Sequence, residues 1–181
     1  MKNTILKKIG GMALAVLMLA VFAQVRAFAQ EDTKIEDQNT EQTIEDESAR
    51  HENAKKLVGT WDVQVTIRNC QTGAAIRTFA SIATYMPGGT RIGSTSGIPQ
   101  ALRTPEHGVW SYLGGRNYQL SFKSFSFDAA NNFTGWSIVR HQLTLNRRAD
   151  AGESAGTLEV YAPNGTLVST GCSTTTTTRF Q

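Results

Sequence analysis

The histidines and their neighbouring carboxylates are the residues of this chain that could support catalysis or hold a metal. His51, His107 and His141 are its three histidines, and no two of them have the spacing of metal ligands. Glu106 and His107 are adjacent, but they follow Pro105 at the end of a segment with glycine and proline, which favours a solvated loop pair over a catalytic one. The sequence therefore predicts no metal site and no cofactor.

His141 is the candidate general base. It shares one face of a predicted strand with Val139, Leu143 and Leu145, and a polar ring on an apolar face can orient a ligand or accept a proton. The alternative is an ordinary core histidine with one hydrogen-bond partner. Enzymatic activity is left undecided on this basis, and a non-enzymatic role is favoured.

Aromatic side chains are the second group of candidates, because they can line a pocket for an apolar molecule. The predicted ligand-binding residues are Tyr85, Trp110, Tyr112 and Phe122, together with His141. Filling of a protein core is the alternative interpretation for the same aromatic residues. In a small barrel the two interpretations merge, since a pocket there is a core that is incompletely filled.

The first residues have the features of a signal peptide. Lys2, Lys7 and Lys8 precede a short apolar run, and either Ala27-Phe28-Ala29 or Val21-Phe22-Ala23 offers a cleavage site. The run is shorter than the ~20 residues that a membrane-spanning helix needs. We therefore expect residues 1–29 to be removed, and the protein to be secreted or periplasmic with no membrane anchor after cleavage.

Charge is distributed unevenly along the rest of the chain. Residues 1–29 hold four basic and no acidic residues, so their removal leaves 14 basic against 15 acidic residues and changes the formal net charge from +3 to −1. Residues 30–54 hold nine of the acids and little apolar surface, which predicts an acidic flexible linker over residues 30–56, with a helix in part of it as the alternative. The arginines that follow form no stripe, so nucleic acid is not an expected partner.

From Leu57 onward the chain alternates between apolar and polar residues, and turn residues recur at short intervals. Eight strands with short connections predict an all-β domain over residues 57–181, an eight-stranded antiparallel up-and-down barrel. Closure is favoured because it removes exposed edge strands. The predicted strands are Trp61–Cys70, Ala75–Met86, Thr90–Ser94, Gly108–Leu113, Asn117–Phe127, Phe133–Leu145, Thr157–Tyr161 and Thr166 onward.

The two cysteines provide a test of closure. In an exported protein, two cysteines are expected to form one disulfide. Cys70 ends the first predicted strand and Cys172 lies early in the last. An antiparallel register with these two residues opposite each other places Val63 opposite Arg179, which puts Trp61 and Arg179 on the other face as diagonal neighbours. The first strand then pairs with the last, as a closed barrel requires.

The final strand contains five consecutive threonines, Thr174–Thr178. Threonine is β-branched and suits a pleated strand on either face, so we interpret this run as the strand that closes the barrel and not as a tail. Gly171 and Ser173 share its inward face, and their small size leaves space near the mouth.

Residues 57–61 read Leu-Val-Gly-Thr-Trp, which resembles the Gly-x-Trp signature of lipocalins and other small barrels of the calycin superfamily. In that family an arginine on the last strand packs over the tryptophan, and Arg179 matches it. The resemblance implies structural roles for Gly59, Trp61 and Arg179. The family's long helix after the barrel and its second loop motif are not evident, so the chain is similar to a lipocalin-like barrel and not to a typical lipocalin.

These features favour an exported barrel that binds a small, largely apolar molecule. One alternative is a protein-binding barrel such as a protease inhibitor, because small exported barrels of this superfamily resemble bacterial metalloprotease inhibitors. A further alternative is an isomerase or cyclase similar to allene-oxide-cyclase-like and dirigent-like barrels, with His141 as its candidate catalytic residue. The identity of the ligand and the oligomeric state do not follow from the sequence.

Overall fold

The computed structural model describes residues 48–180 of the chain. The chain divides into two units, Met1–Ser48 and Ala49–Gln181, and the second unit contains the fold. The predicted signal peptide, residues 1–29, and the linker residues 30–47 lie outside the described part. Within residues 48–180, no helix is long and apolar enough to cross a membrane.

Eight antiparallel strands form a closed barrel in chain order, in which β1 pairs with both β2 and β8. Residues 48–55 are helical and precede β1, and a 3-10 helix, Gln100–Leu102, lies between β3 and β4. The predicted eight-stranded up-and-down barrel is confirmed. Its strands are Gly59–Arg68 (β1), Ala75–Met86 (β2), Thr90–Thr95 (β3), Glu106–Gly114 (β4), Asn117–Phe127 (β5), Phe133–Leu145 (β6), Ala151–Tyr161 (β7) and Leu167–Arg179 (β8).

The predicted disulfide between Cys70 and Cys172 is present, with a Cα–Cα distance of 5.2 Å. The predicted register of β1 against β8 is wrong by two residues, because Trp61 lies directly opposite Arg179 and Arg68 lies opposite Cys172. The strand ends at Arg68, and Cys70 lies in the turn that follows it. Since side chains alternate with a period of two, this shift keeps every residue on its predicted face.

Gly59, Trp61 and Arg179 close one end of the barrel. The Trp61 side chain is fully buried, and its indole N–H donates to the carbonyl oxygen of Leu57 at 2.9 Å. The Arg179 guanidinium lies over the indole ring, 4.4 Å from its centroid, and donates to the carbonyl oxygen of Val58 at 3.0 Å. Gly59 has a φ of 126°, and a Cβ there would lie 2.7 Å from Nη1 of Arg179, so only glycine leaves room for this arginine.

The hydrophobic core fills the same end. Trp110 meets Tyr85 and Tyr118 edge-on, with ring centroids 6.5 and 6.1 Å apart. The Tyr118 hydroxyl donates to the carbonyl oxygen of Asn53 at 2.7 Å, which links the helical residues before β1 to the barrel. The cluster of buried hydrophobic residues comprises Leu57, Trp61, Ala83, Tyr85, Trp110, Tyr118, Leu120, Leu143 and Leu145.

Strand β7 is longer than the sequence predicts. It begins at Ala151 and not at Thr157, so residues 151–156 belong to the barrel wall and not to a polar loop. Gly152, Ser154 and Gly156 alternate along this part of the strand, and such small residues give no apolar–polar contrast from which a strand could be recognised. Their small size also leaves space in the interior.

Candidate functional site

An internal cavity of about 210 Å³ lies between the closed-end core and the loop that follows β3. All eight strands contribute inward positions to its wall, since alternate residues of each strand face the interior. Gly97 and Ile98 of the loop line it together with Arg77 and Phe79. Its larger apolar side chains are Val63, Val65, Ile67, Phe79, Ile98, Leu120, Phe122, Val139 and Leu158.

A buried ion-pair network also lines the cavity. Glu106 accepts a hydrogen bond from Nη2 of Arg91 at 2.9 Å and another from Nη2 of Arg103 at 3.0 Å. The side chains of Arg91, Glu106 and Arg103 are 5, 6 and 12% exposed. Nε of Arg103 donates to the hydroxyl of Ser124 at 2.7 Å, which lies 3.1 Å from the hydroxyl of Ser137. Two guanidinium charges therefore face one carboxylate where water is largely excluded.

Burial shifts the pKa values of one group in this network, Arg103, and of one beside it, Tyr85. It lowers the pKa of Arg103; the carboxylate of Glu106 opposes that shift, and the charge of Arg91 adds to it. It also raises the pKa of Tyr85, whose ring centroid lies 5.8 Å from Cζ of Arg91. Both directions reflect the cost of holding charge away from water.

The position of Arg91 depends on a glycine in the neighbouring strand. Cζ of Arg91 lies 3.6 Å from the ring centroid of Phe122. Gly108 lies between them in the sheet and pairs with Arg91 on one side and with Phe122 on the other. A Cβ on Gly108 would lie 2.5 Å from Cβ of Phe122, so the absence of a side chain there allows the guanidinium and the ring to meet.

The interpretation of Glu106 and His107 as a solvated loop pair is wrong for Glu106. This residue is the first of β4 and is buried, whereas His107 is exposed. Sequence reasoning also missed Arg91, which lies in β3, and Arg103, which lies in the loop before β4. The available signal was alternation, because Glu106 is two residues before Gly108 and four before Trp110 and so shares their face.

His141 lines the cavity from β6, with a hydroxyl at each ring nitrogen. Nδ1 lies 2.7 Å from the hydroxyl of Ser154, and Nε2 lies 2.8 Å from that of Ser173. Gly156 pairs with His141 on one side and with Ser173 on the other, and a Cβ there would lie 2.5 Å from Cδ2 of His141. A glycine in the middle strand again lets side chains from the two flanking strands meet.

Burial, and to a smaller extent the positive charge of Arg91, lowers the pKa of His141 to about 4. The ring is therefore neutral at neutral pH, with one nitrogen that donates and one that accepts. The two serine hydroxyls can fill both roles, because a hydroxyl group donates or accepts as its partner requires. His141 is thus a neutral polar group whose hydrogen bonds are made within the protein.

Replacement of His141 by glutamine should remove part of the pH dependence of stability. The pKa of His141 is about 4 in the folded protein, against an ordinary value of 6.5. The stability that the neutral ring contributes to the folded state is therefore fully present above pH 6.5 and is lost as the pH falls from 6.5 to 4. Between pH 7 and 4.5, the wild type should lose about 2 kcal/mol more than His141→Gln. Urea unfolding at both pH values measures this. Equal losses would contradict it, and His107→Gln, at an exposed position, should behave as wild type.

The structure brings together three of the five predicted ligand-binding residues. Tyr85, Phe122 and His141 all line the cavity. Trp110 lies instead in the closed-end core, where its indole N–H donates to backbone carbonyl oxygens. Tyr112 packs against Tyr118, with ring centroids 5.4 Å apart, and donates to the carbonyl oxygen of Gly115. Neither of these two residues lines the cavity.

Comparisons with known proteins give one structural likeness. No protein-family model and no curated protein matches the chain. A solved structure that resembles it is the crystal structure of Rv2717c from M. tuberculosis, with a TM-score of 0.36 and 11% sequence identity over 70% of this chain and 94% of that chain. Membership of the calycin superfamily stays a prediction from the sequence.

Proposed function

We propose that the protein is exported and binds a small, largely apolar molecule inside the barrel. The observation that carries this proposal is the cavity of about 210 Å³ with mainly aliphatic and aromatic walls. Drug-sized ligands occupy pockets of roughly 300–1,000 Å³, while an engineered apolar cavity of about 150 Å³ holds benzene. The ligand is therefore small, of the order of one ring or a short chain.

The disulfide supports the exported location. Disulfides persist in oxidising compartments and are rare in the reducing cytosol, and Cys70 and Cys172 are joined. The lysine-flanked apolar run in residues 1–29, followed by small residues at the candidate cleavage sites, points to the same compartment.

The lowered pKa and the hydrogen bonds of His141 favour ligand binding over proton-transfer catalysis. A general base works best when its pKa is near the operating pH, and the pKa of His141 is lowered to about 4. Both of its nitrogens also lie within hydrogen-bond distance of serine hydroxyls. The isomerase or cyclase alternative would therefore need a different catalytic group.

Native mass spectrometry of the protein purified from its source tests the proposal. We expect a species heavier than the mature chain by the mass of a small molecule, which organic extraction removes. A protein partner in place of a small molecule would favour the inhibitor-like alternative. A chain that neither carries nor takes up any small molecule would overturn the proposal.

A matched pair of variants on β6 locates the binding site. Val139 lines the cavity, whereas Ile138, the next residue along the strand, faces away from it. Val139→Phe should fill part of the cavity and abolish ligand uptake, while Ile138→Phe should retain it. Loss of uptake in both variants, or in neither, would show that the ligand is bound elsewhere.

A further inference from the structure

We propose that the ligand carries one carboxylate group, and that Arg91 binds this group inside the cavity. This inference rests on the proposed function and adds the chemical class of the ligand, a small amphipathic monocarboxylate. Its apolar part contacts the aliphatic wall, which includes Val63, Val65 and Leu158.

The charge of the cavity is the first reason. Arg91, Arg103 and Glu106 line it and are nearly fully buried. Both buried guanidinium groups are positively charged and face a single carboxylate, which leaves a net charge of +1 among the buried groups. A third arginine of the lining, Arg77, is exposed, so water solvates its charge. An uncompensated buried charge is costly, and a monoanionic ligand would neutralise it. A cationic ligand would increase the imbalance, and a dianion would reverse it.

Unpaired donors on Arg91 are the second reason, and they are independent of the charge count. Within residues 48–180, Nε and Nη1 of Arg91 are buried without a hydrogen-bond partner. These two nitrogens carry three of the five N–H groups of a guanidinium. Buried polar groups in native proteins are nearly always paired, so unpaired ones indicate a missing partner. A carboxylate accepts several such bonds, and charge-assisted bonds of this kind are among the strongest in proteins.

The rest of the network restricts this role to Arg91. Nε and Nη2 of Arg103 donate to Ser124 and Glu106, and both nitrogens of His141 lie against serine hydroxyls. Arg77, an exposed residue, donates through Nη2 to the carbonyl oxygen of Gly97. Phe122 covers one face of the Arg91 guanidinium, so a carboxylate would bind at its edge, where Nε and Nη1 lie buried, after a small movement of the surrounding side chains.

Burial keeps two other polar side chains of the cavity, Tyr85 and His141, neutral at neutral pH. It raises the pKa of Tyr85 and lowers that of His141 to about 4. Tyr85 therefore offers no negative charge that would compete with the ligand for Arg91 at neutral pH, and His141 adds no further positive charge to the cavity.

Two pairs of probes, each a carboxylate and the neutral amide of the same shape, test the inference: 3-phenylpropionate with 3-phenylpropionamide, and octanoate with octanamide. Titration calorimetry on the delipidated mature protein at pH 7 gives the affinities. We expect the carboxylate of a pair to bind about tenfold more tightly than its amide, or better, because only the anion neutralises the buried charge. This comparison needs no variant.

The variant Arg91→Met tests whether Arg91 is the group that produces the preference for the carboxylate over the amide. The variant removes one buried positive charge and leaves Glu106 paired with Arg103, so we expect it to fold cooperatively and to bind acid and amide equally well. The matched control is Arg140→Met, which removes the same charge from an exposed side chain, 45% accessible, on the outer surface. Arg140→Met should bind the carboxylate of each pair more tightly than the amide, as the wild type does.

The outcomes separate this inference from the proposed function. If the wild type binds acid and amide equally, small-molecule binding stands and the carboxylate inference is overturned. If the preference survives in Arg91→Met, Arg91 is not the binding group and the inference is likewise overturned. If no probe binds and the protein from its source carries no small molecule, both proposals fail together.

Discussion

Replacement of Glu106 by glutamine should destabilise the barrel by about 3–5 kcal/mol, the loss typical when one partner of a buried ion pair is removed. The carboxylate of Glu106 is 6% exposed and bonds to Arg91 and Arg103. Glutamine keeps the shape and one acceptor oxygen but removes the negative charge, so that two guanidinium groups would remain buried without a counter-charge. Domains are stable by only about 5–15 kcal/mol, so urea unfolding should detect the change readily.

An exposed ion pair supplies the control for this prediction. Glu159 accepts a hydrogen bond from Arg140 on the outer surface, where the two side chains are 26 and 45% exposed. Glu159→Gln makes the same chemical change in a place where water can solvate the remaining arginine, so the loss should be a small fraction of that for Glu106→Gln. In addition, Arg91→Met should rescue part of the Glu106→Gln defect, because it removes one of the uncompensated charges. Equal effects of the two glutamine variants would contradict the prediction.

Reduction of the disulfide should lower the free energy of unfolding by about 4–5 kcal/mol. Cys70 and Cys172 are separated by 102 residues in sequence, and in the chain-entropy model the closure of a loop of about 100 residues restricts the unfolded chain by that amount. The bond joins the turn after β1 to β8, the two strands at which the barrel closes. Urea unfolding with and without dithiothreitol measures the difference.

The cysteine content makes the control for the disulfide simple. The chain has two cysteines, so a reductant has one bond to act on. A Cys70→Ala/Cys172→Ala double variant should unfold at the midpoint of the reduced wild type and should be insensitive to dithiothreitol. If the reductant leaves the wild-type midpoint unchanged, the disulfide contributes nothing to stability and the predicted loss is wrong.

The register of β1 against β8 shows a limit of sequence reasoning. Alternation places Trp61 and Arg179 on one face, and the structure agrees. It does not distinguish registers that differ by two residues, because these keep every side chain on the same face. The disulfide does not decide between the two registers either, since Cys70 lies in a turn, outside the paired strands, and Cys172 lies in a strand.

The candidate site was only partly predictable for a related reason. His141 and Phe122 stand out in the sequence as a polar ring and an aromatic ring among inward residues, and both line the cavity. Glu106 follows Pro105 and has a charged side chain, so local composition indicates a loop. Its charge is paired where it is buried because Arg91 approaches it from β3 and Arg103 from the loop three residues before it. The approach of Arg91 depends on the pairing of β3 with β4, which no local pattern encodes.

The sequence by itself determined the class of fold, the number of strands, the disulfide and the face on which each strand-one residue lies. The disulfide follows from the presence of two cysteines in a chain with the features of a signal peptide. The other properties depend on polarity along the chain, which has a period of two wherever apolar and polar residues contrast. Only the tertiary structure decided which small residues leave room for a neighbouring side chain and which charged side chains are buried. Gly108 and Gly156 resemble any other glycines in the sequence. In the barrel, however, Gly108 allows Arg91 to contact Phe122 across β4, and Gly156 allows His141 to contact Ser173 across β7. That outcome depends on which strands become neighbours, and strand pairing is a property of the closed barrel as a whole.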